Sequence, residues 1–116
     1  MSNGKLAIHR LADIYTVDLM ESRIVDQLAI AGINEELKAL AEKAGRAKII
    51  LNFANVTHVS SAMIGVVMTL HKQCKKGGGD LRIAALNDNI MTVFKLCKLD
   101  KMMSIFPDSD KAMVKF

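Results

Sequence analysis

Aromatic residues are scarce in this chain: four Phe, one Tyr and no Trp among 116 residues. Single-stranded nucleic acids are usually held on aromatic stacking platforms, so that mode of binding is poorly provided for. Cysteine is nearly absent too. Cys74 and Cys97 lie 23 residues apart, with no CxxC pair and no Cys/His ligand spacing, which excludes a disulfide scaffold and a zinc motif. No metal or other cofactor is expected. No apolar run approaches the ~20 residues of a membrane span, and Met1 to Arg10 lacks the apolar stretch of a secretory signal. A cytoplasmic protein with reduced thiols and no membrane contact is the expectation. A single proline and seven glycines leave no disordered or collagen-like composition.

What the chain does have is aliphatic residues and lysine. Hydrophobic residues make up 51% and charged residues 24%, enough for one domain with a real core. The net charge of +4 is uneven. Residues 1–50 balance seven basic against seven acidic side chains, whereas residues 51–116 hold nine against five. Lys72, Lys75, Lys76 and Arg82 form one basic group, and Lys95, Lys98 and Lys101 another. Such a surplus reads first as a solvated face that can steer acidic partners. A surface that tracks phosphates would carry more arginine in a denser run, so a basic nucleic-acid-binding module is the weaker alternative.

Periodicity orders the elements. Leu6 to Met20 alternates like two strands, with a turn at Asp13. Met20 to Asp26 reads as a connection with a further extended piece at Ile24 and Val25. Leu28 to Ala44 places Ile30, Ile33, Leu37, Leu40 and Ala44 on one helical face, and Gly45 stops it. Ala47 to Phe53 is a buried central strand. Ala54 to Ser60 is a connection. A second helix runs from about Ala62 to Lys76, opened by Ser60-Ser61 and closed by Gly77-Gly78-Gly79. Leu81 to Ala85 is a short strand. Asn87 or Asp88 caps a third helix with Ile90, Val93, Phe94 and Cys97 on one face. An apolar return carries a small strand at Ser104 to Phe106, and Pro107-Asp108 begins a last short helix. Strands alternating with helices predict an α/β fold with a mixed sheet.

Chemistry concentrates at Ser60-Ser61. A serine there caps the second helix or, once phosphorylated, sets a charge of about −1.5 to −2 at the positive end of the helix dipole. A serine nucleophile needs a base and an oxyanion hole. His58, His9 and His71 are the only histidines, and no GxSxG elbow surrounds Ser61. The chain is therefore read as a non-enzyme. Gly77-Gly78-Gly79 follows its helix, so it is a stop and not a phosphate loop. Met63, Met68, Met91, Met102 and Met103 read first as core filling in an aromatic-poor protein and, as the alternative, as an adaptable binding surface.

The composite pattern resembles the STAS domain of bacterial anti-sigma factor antagonists. Val59-Ser60-Ser61-Ala62-Met63-Ile64-Gly65 resembles the family motif, an apolar residue followed by Asp-Ser-Ser/Thr-Gly-Leu-Gly. Ile49 to Phe53 resembles the strand before it, Gly78 to Ile83 the Gly-Gly turn into a strand, and Val93 to Leu99 the helix end leading into a Thr/Ser-Gly-Leu triplet. The resemblance implies a single STAS domain over 1–116, with a mixed β-sheet of four to five strands against about four helices. It also implies phosphorylation of Ser61 by an anti-sigma factor with serine kinase activity, and reset by a serine phosphatase. The implied partner surface is His58, Ser60, Ser61, Ala62, Met63 and Gly65. Three positions depart from the motif: Ser60 replaces Asp and becomes a competing phosphorylation site, Ala62 replaces Ser/Thr, and Met63 replaces Gly. A non-switching scaffold STAS domain of a larger signalling complex is the alternative that these departures favour.

Overall fold

Alternating side chains turn the start of the chain into a hairpin. Leu6–Leu11 (β1) pairs antiparallel with Ile14–Leu19 (β2), and Ala12 takes the left-handed conformation in the turn between them. The computed structural model describes residues 6–116, and the expected loose start at Met1 to Lys5 lies outside them. Arg23–Ile24 (β3) leads into Gln27–Ala44 (α1), and Lys48–Asn52 (β4) follows. Then come His58–Val59 (β5), Ser61–Lys76 (α2), Asp80–Ala84 (β6) and Asp88–Leu96 (α3). Leu99–Met102 (α4), Ser104–Phe106 (β7) and Ser109–Met113 (α5) complete the order.

Five strands form a mixed sheet in the order β1-β2-β4-β6-β7, parallel everywhere except in the β1-β2 hairpin. β3 and β5 form a separate parallel ladder two residues long. The mixed α/β architecture agrees with the sequence reading, and it holds five helices instead of about four. The additions are small. β5 falls in the expected Ala54 to Ser60 connection, and α4 is a single turn in the expected apolar return.

One sheet face carries Val17, Leu19, Ile49, Leu51, Leu81 and Ile83 against the apolar rows of α1, α2 and α3. Each such side chain contributes roughly 1.5–3 kcal/mol on burial. Phe53 and Phe94 meet edge to face in this layer, 6.0 Å apart. Ile50 and Ala84 point to the other face, where Ala112 of α5 covers them. Arg82 also lies on this second face, between the inward positions Leu81 and Ile83. Its guanidinium donates to the carbonyls of Ala112 (2.8 Å), Val114 (2.8 Å) and Lys115 (3.1 Å), and it stacks on Phe116. Arg82 therefore does not belong to a basic surface group with Lys72, Lys75 and Lys76: strand alternation sends it under the last turn of the chain.

The third helix ends one residue sooner than its apolar pattern implies. Cys97 is the C-cap of α3 and is exposed, so it does not share the buried face of Ile90 and Phe94. Cys74 is buried in α2, and burial pushes its thiol up to about 12, with the nearby Asp80 charge adding to the effect. Of the methionines, Met63 and Met103 are core residues and Met102 is 41% exposed.

Candidate functional site

Three helices start at one end of the molecule, and pairing explains why. β3 and β5 run parallel and each leads straight into a helix, so the starts of α1 and α2 lie side by side. The Thr57 and His58 amides both donate to the carbonyl of Ser22 (2.7 and 3.2 Å), and the Ser60 amide donates to that of Ile24 (3.0 Å). Asn87, the N-cap of α3, donates from Nδ2 to the carbonyls of Thr57 (3.1 Å) and Val56 (3.4 Å). The Val56 to Ser60 loop is thereby fixed from both sides.

The three starts are capped unequally. Asp26 Oδ2 accepts from the Ala29 amide of α1 at 2.9 Å, and Asn87 Oδ1 accepts from the Ile90 amide of α3 at 2.8 Å. Ser60 makes no side-chain cap of α2, and its Oγ is enclosed without a hydrogen-bond partner. Only its carbonyl serves the helix, accepting from Met63 (3.1 Å) and Ile64 (3.3 Å). The Ser61 and Ala62 amides are first-turn donors with no intrahelical partner. No acidic side chain stands in that turn. Ser61 is the first helical residue and is exposed, and among the described residues its hydroxyl has no hydrogen-bond partner. A phosphate there would meet the positive end of a sixteen-residue helix.

The other expected site residues divide. His58 and Ala62 are exposed, and Ser60 is half-buried. His58 Nδ1 is 2.9 Å from Thr57 Oγ1, and among the described residues no hydrogen bond joins it to Ser61. Met63 is a correction: its side chain is 0% exposed in the core, because the third position of α2 turns toward the sheet. It can shape the site only from beneath. Gly65 is exposed, and a Cβ built on it meets nothing within 4 Å. Its lack of a side chain therefore serves no packing on the sheet and leaves open space outside.

Two apolar residues beside this site escaped the sequence reading. Val25 is 44% exposed and Leu28 is 85% exposed, at the β3–α1 junction next to the β5–α2 junction. The signal was available. Leu28 precedes Ile30 by two residues, about 200° around a helix, so it cannot share the buried row of Ile30, Ile33, Leu37 and Leu40.

Along α2, away from Ser61, the environment changes. His71 is buried, and desolvation holds its imidazole below the usual histidine range, opposed by Asp80 at 3.8 Å. Among the described residues, no cluster of three His, Cys, Asp or Glu could hold a metal, and no helix is long and apolar enough to cross a membrane.

A mixed, mostly parallel five-stranded sheet, three helices layered on one face and a short one on the other, and a serine opening the second crossover helix define a particular class of small α/β domain. The STAS domain family model matches residues 12–112, and the chain belongs to that family. Solved structures agree on the fold. TM1081 of Thermotoga maritima superposes with a TM-score of 0.80 at 21% identity, covering 93% of this chain and 91% of that one. An anti-sigma-factor antagonist (STAS) domain protein of Planctomyces limnophilus gives 0.80 at 13%, covering 92% and 93%. The Bacillus cell fate determinant SpoIIAA in its phosphorylated form gives 0.72 at 14%, covering 92% and 96%. The fold thus resembles that of anti-sigma factor antagonists.

Proposed function

We propose that this chain is an anti-sigma factor antagonist that works as a non-enzymatic, phosphorylation-regulated switch. The observation that carries the proposal is Ser61: exposed, first in α2, beside free amides that no cap or carboxylate occupies. In the unmodified state, His58, Ser60, Ser61, Ala62 and the open space at Gly65, flanked by Val25 and Leu28, bind an anti-sigma factor with serine kinase activity. Phosphate on Ser61 adds about two negative charges and three acceptor oxygens, which a partner surface built for a hydroxyl cannot accommodate. A serine phosphatase restores the binding form. The likeness in fold to SpoIIAA, a protein solved in a phosphorylated form, supports this reading.

Calorimetric titration with a purified anti-sigma factor kinase tests it. The parent chain and Ser61→Ala bind, whereas Ser61→Asp loses about tenfold or more in affinity, at least ~1.4 kcal/mol. Intact-mass analysis after incubation with kinase and ATP shows one added phosphate on the parent and none on Ser61→Ala. Phosphate mapped only to Ser60, or equal binding by all three proteins, overturns the switch.

The scaffold reading has one observation in its favour. β1 is an edge strand of six residues with Ile8 and Leu11 exposed, a surface suited to assembly. A large, stable oligomer in light scattering, together with indifference to Ser61→Asp, selects it.

A further inference from the structure

We infer that the end of the molecule opposite Ser61 is a second docking surface, built for an acidic amphipathic helix of a partner protein. The two lysine groups of the sequence meet here. α2 and α3 run away from the Ser61 end, so their last turns, the start of β6 and the whole α3–α4 turn share the far end. A groove of about 710 Å³ opens there, lined by Lys75, Lys95 and Lys101 together with Met91, Met102 and Met103. Leu96, 78% exposed, and Met102, 41% exposed, are the apolar residues of the adjoining turn.

Charge decides the sign of the occupant. Asp80 lies within 3.7 Å of Lys75, so one acid of the groove is already engaged. Among the described residues, Lys95, Lys98 and Lys101 have no carboxylate within ion-pair distance, although Asp100 also lines the groove. The apolar component decides its kind. A nucleic-acid backbone has no use for exposed Leu96 and Met102, and the basic residues here are all lysine, without the arginine forks that grip phosphates. The partly exposed methionines Met91 and Met102, with lysines along the same groove, suit the apolar face of a helix that carries carboxylates on its flanks.

The backbone adds an independent observation. Lys98 has φ 60° and ψ 24°, the left-handed region that glycine enters without penalty. Lys98 is exposed, so the turn that follows Leu96 keeps a cation at a position where glycine would be the unstrained choice.

The test uses the full chain and a fluorescent synthetic peptide helix with leucines along one face and glutamates along the other. Three controls accompany it: the same composition scrambled, polyglutamate, and duplex DNA of equal charge. The helix is expected to bind, and the scrambled peptide and polyglutamate to bind at least about tenfold more weakly. Lys95→Glu/Lys101→Glu and Leu96→Ser each reduce the affinity about tenfold. Lys98→Gly separates function from fold: it melts no lower than the parent, because the turn is relieved, yet binds the helix more weakly. Ser61→Asp leaves all of this unchanged, so failure here and failure of the Ser61 switch are distinguishable. Equal binding of helix and scrambled peptide, DNA binding as tight as the helix, or indifference to both the charge reversal and Leu96→Ser overturns the inference.

Discussion

The two ends of α2 are built on opposite terms. At Ser61 the helix begins in a loop of exposed side chains, with an uncapped first turn and empty space around Gly65. At Lys76 it ends in a turn jammed against the turn that follows α1. The Asp80 amide donates to the Ala47 carbonyl at 2.9 Å, and a Cβ on Gly79 would stand 1.9 Å from that same oxygen. Backbone lies on backbone there, with no side chain to yield. The difference teaches where this domain can change cheaply. The start of α2 has stability to gain by substitution, and the turn at its end has only stability to lose.

The largest effect expected is at the closed end. Gly79→Ala drives a methyl into the Ala47 carbonyl and costs about 3 kcal/mol or more, read as a fall in the denaturation midpoint. An unchanged midpoint would erase the contrast. Next is Ser60→Asp at the open end. A carboxylate at the N-cap can accept from a first-turn amide and complement the dipole, for a gain of about 1 kcal/mol. Gly65→Ala follows, with a gain of roughly 0.5–1 kcal/mol from helix propensity, since a Cβ there touches nothing. Weaker binding of the proposed anti-sigma kinase partner by this stabilised variant would sharpen the comparison, because it would assign the open space to that partner.

The smallest effect is the pH dependence set by His71. Burial holds this imidazole below its ordinary value, so in the window just under about pH 6.5 the unfolded chain binds more protons than the folded one. Its contribution is present above that value and is lost as the pH falls. Melting temperature thus rises with pH through this window more steeply in the parent than in His71→Gln. Equal slopes would remove His71 from the account.

The main elements were legible because their patterns are long. Ile30, Ile33, Leu37 and Leu40 specify α1, and the apolar run from Ile49 to Leu51 specifies a strand covered on both faces. Elements that depend on pairing were not legible. His58 and Val59 become a strand only because Arg23 and Ile24 lie beside them, and two residues carry no period. Cys97 was misplaced because helical spacing was extended past Leu96, where the helix has ended. Arg82 looked like one more surface cation until alternation in β6 put it on the covered face. At the candidate site, the serines were visible in sequence, whereas the inward turn of Met63 and the uncapped state of Ser60 are properties of packing. Leu28 was read only as the start of a helix, although its angle on that helix already set it apart from the buried row as an exposed apolar residue.

The parallel pairing of the sheet bears on how the chain folds. Only β1 and β2 meet across a tight turn; Ile14 finds Lys48, Lys48 finds Asp80, and Arg23 finds His58 only after a whole helix has been threaded between them. Each closure surrenders chain entropy before any ladder bond repays it, which makes such topologies slow to assemble. The loop that presents Ser61 hangs from the shortest of these distant pairings. In the proposed switch, the surface a kinase would read exists only once Arg23 and Ile24 have paired with His58 and Val59, so recognition would be tied to completion of the fold.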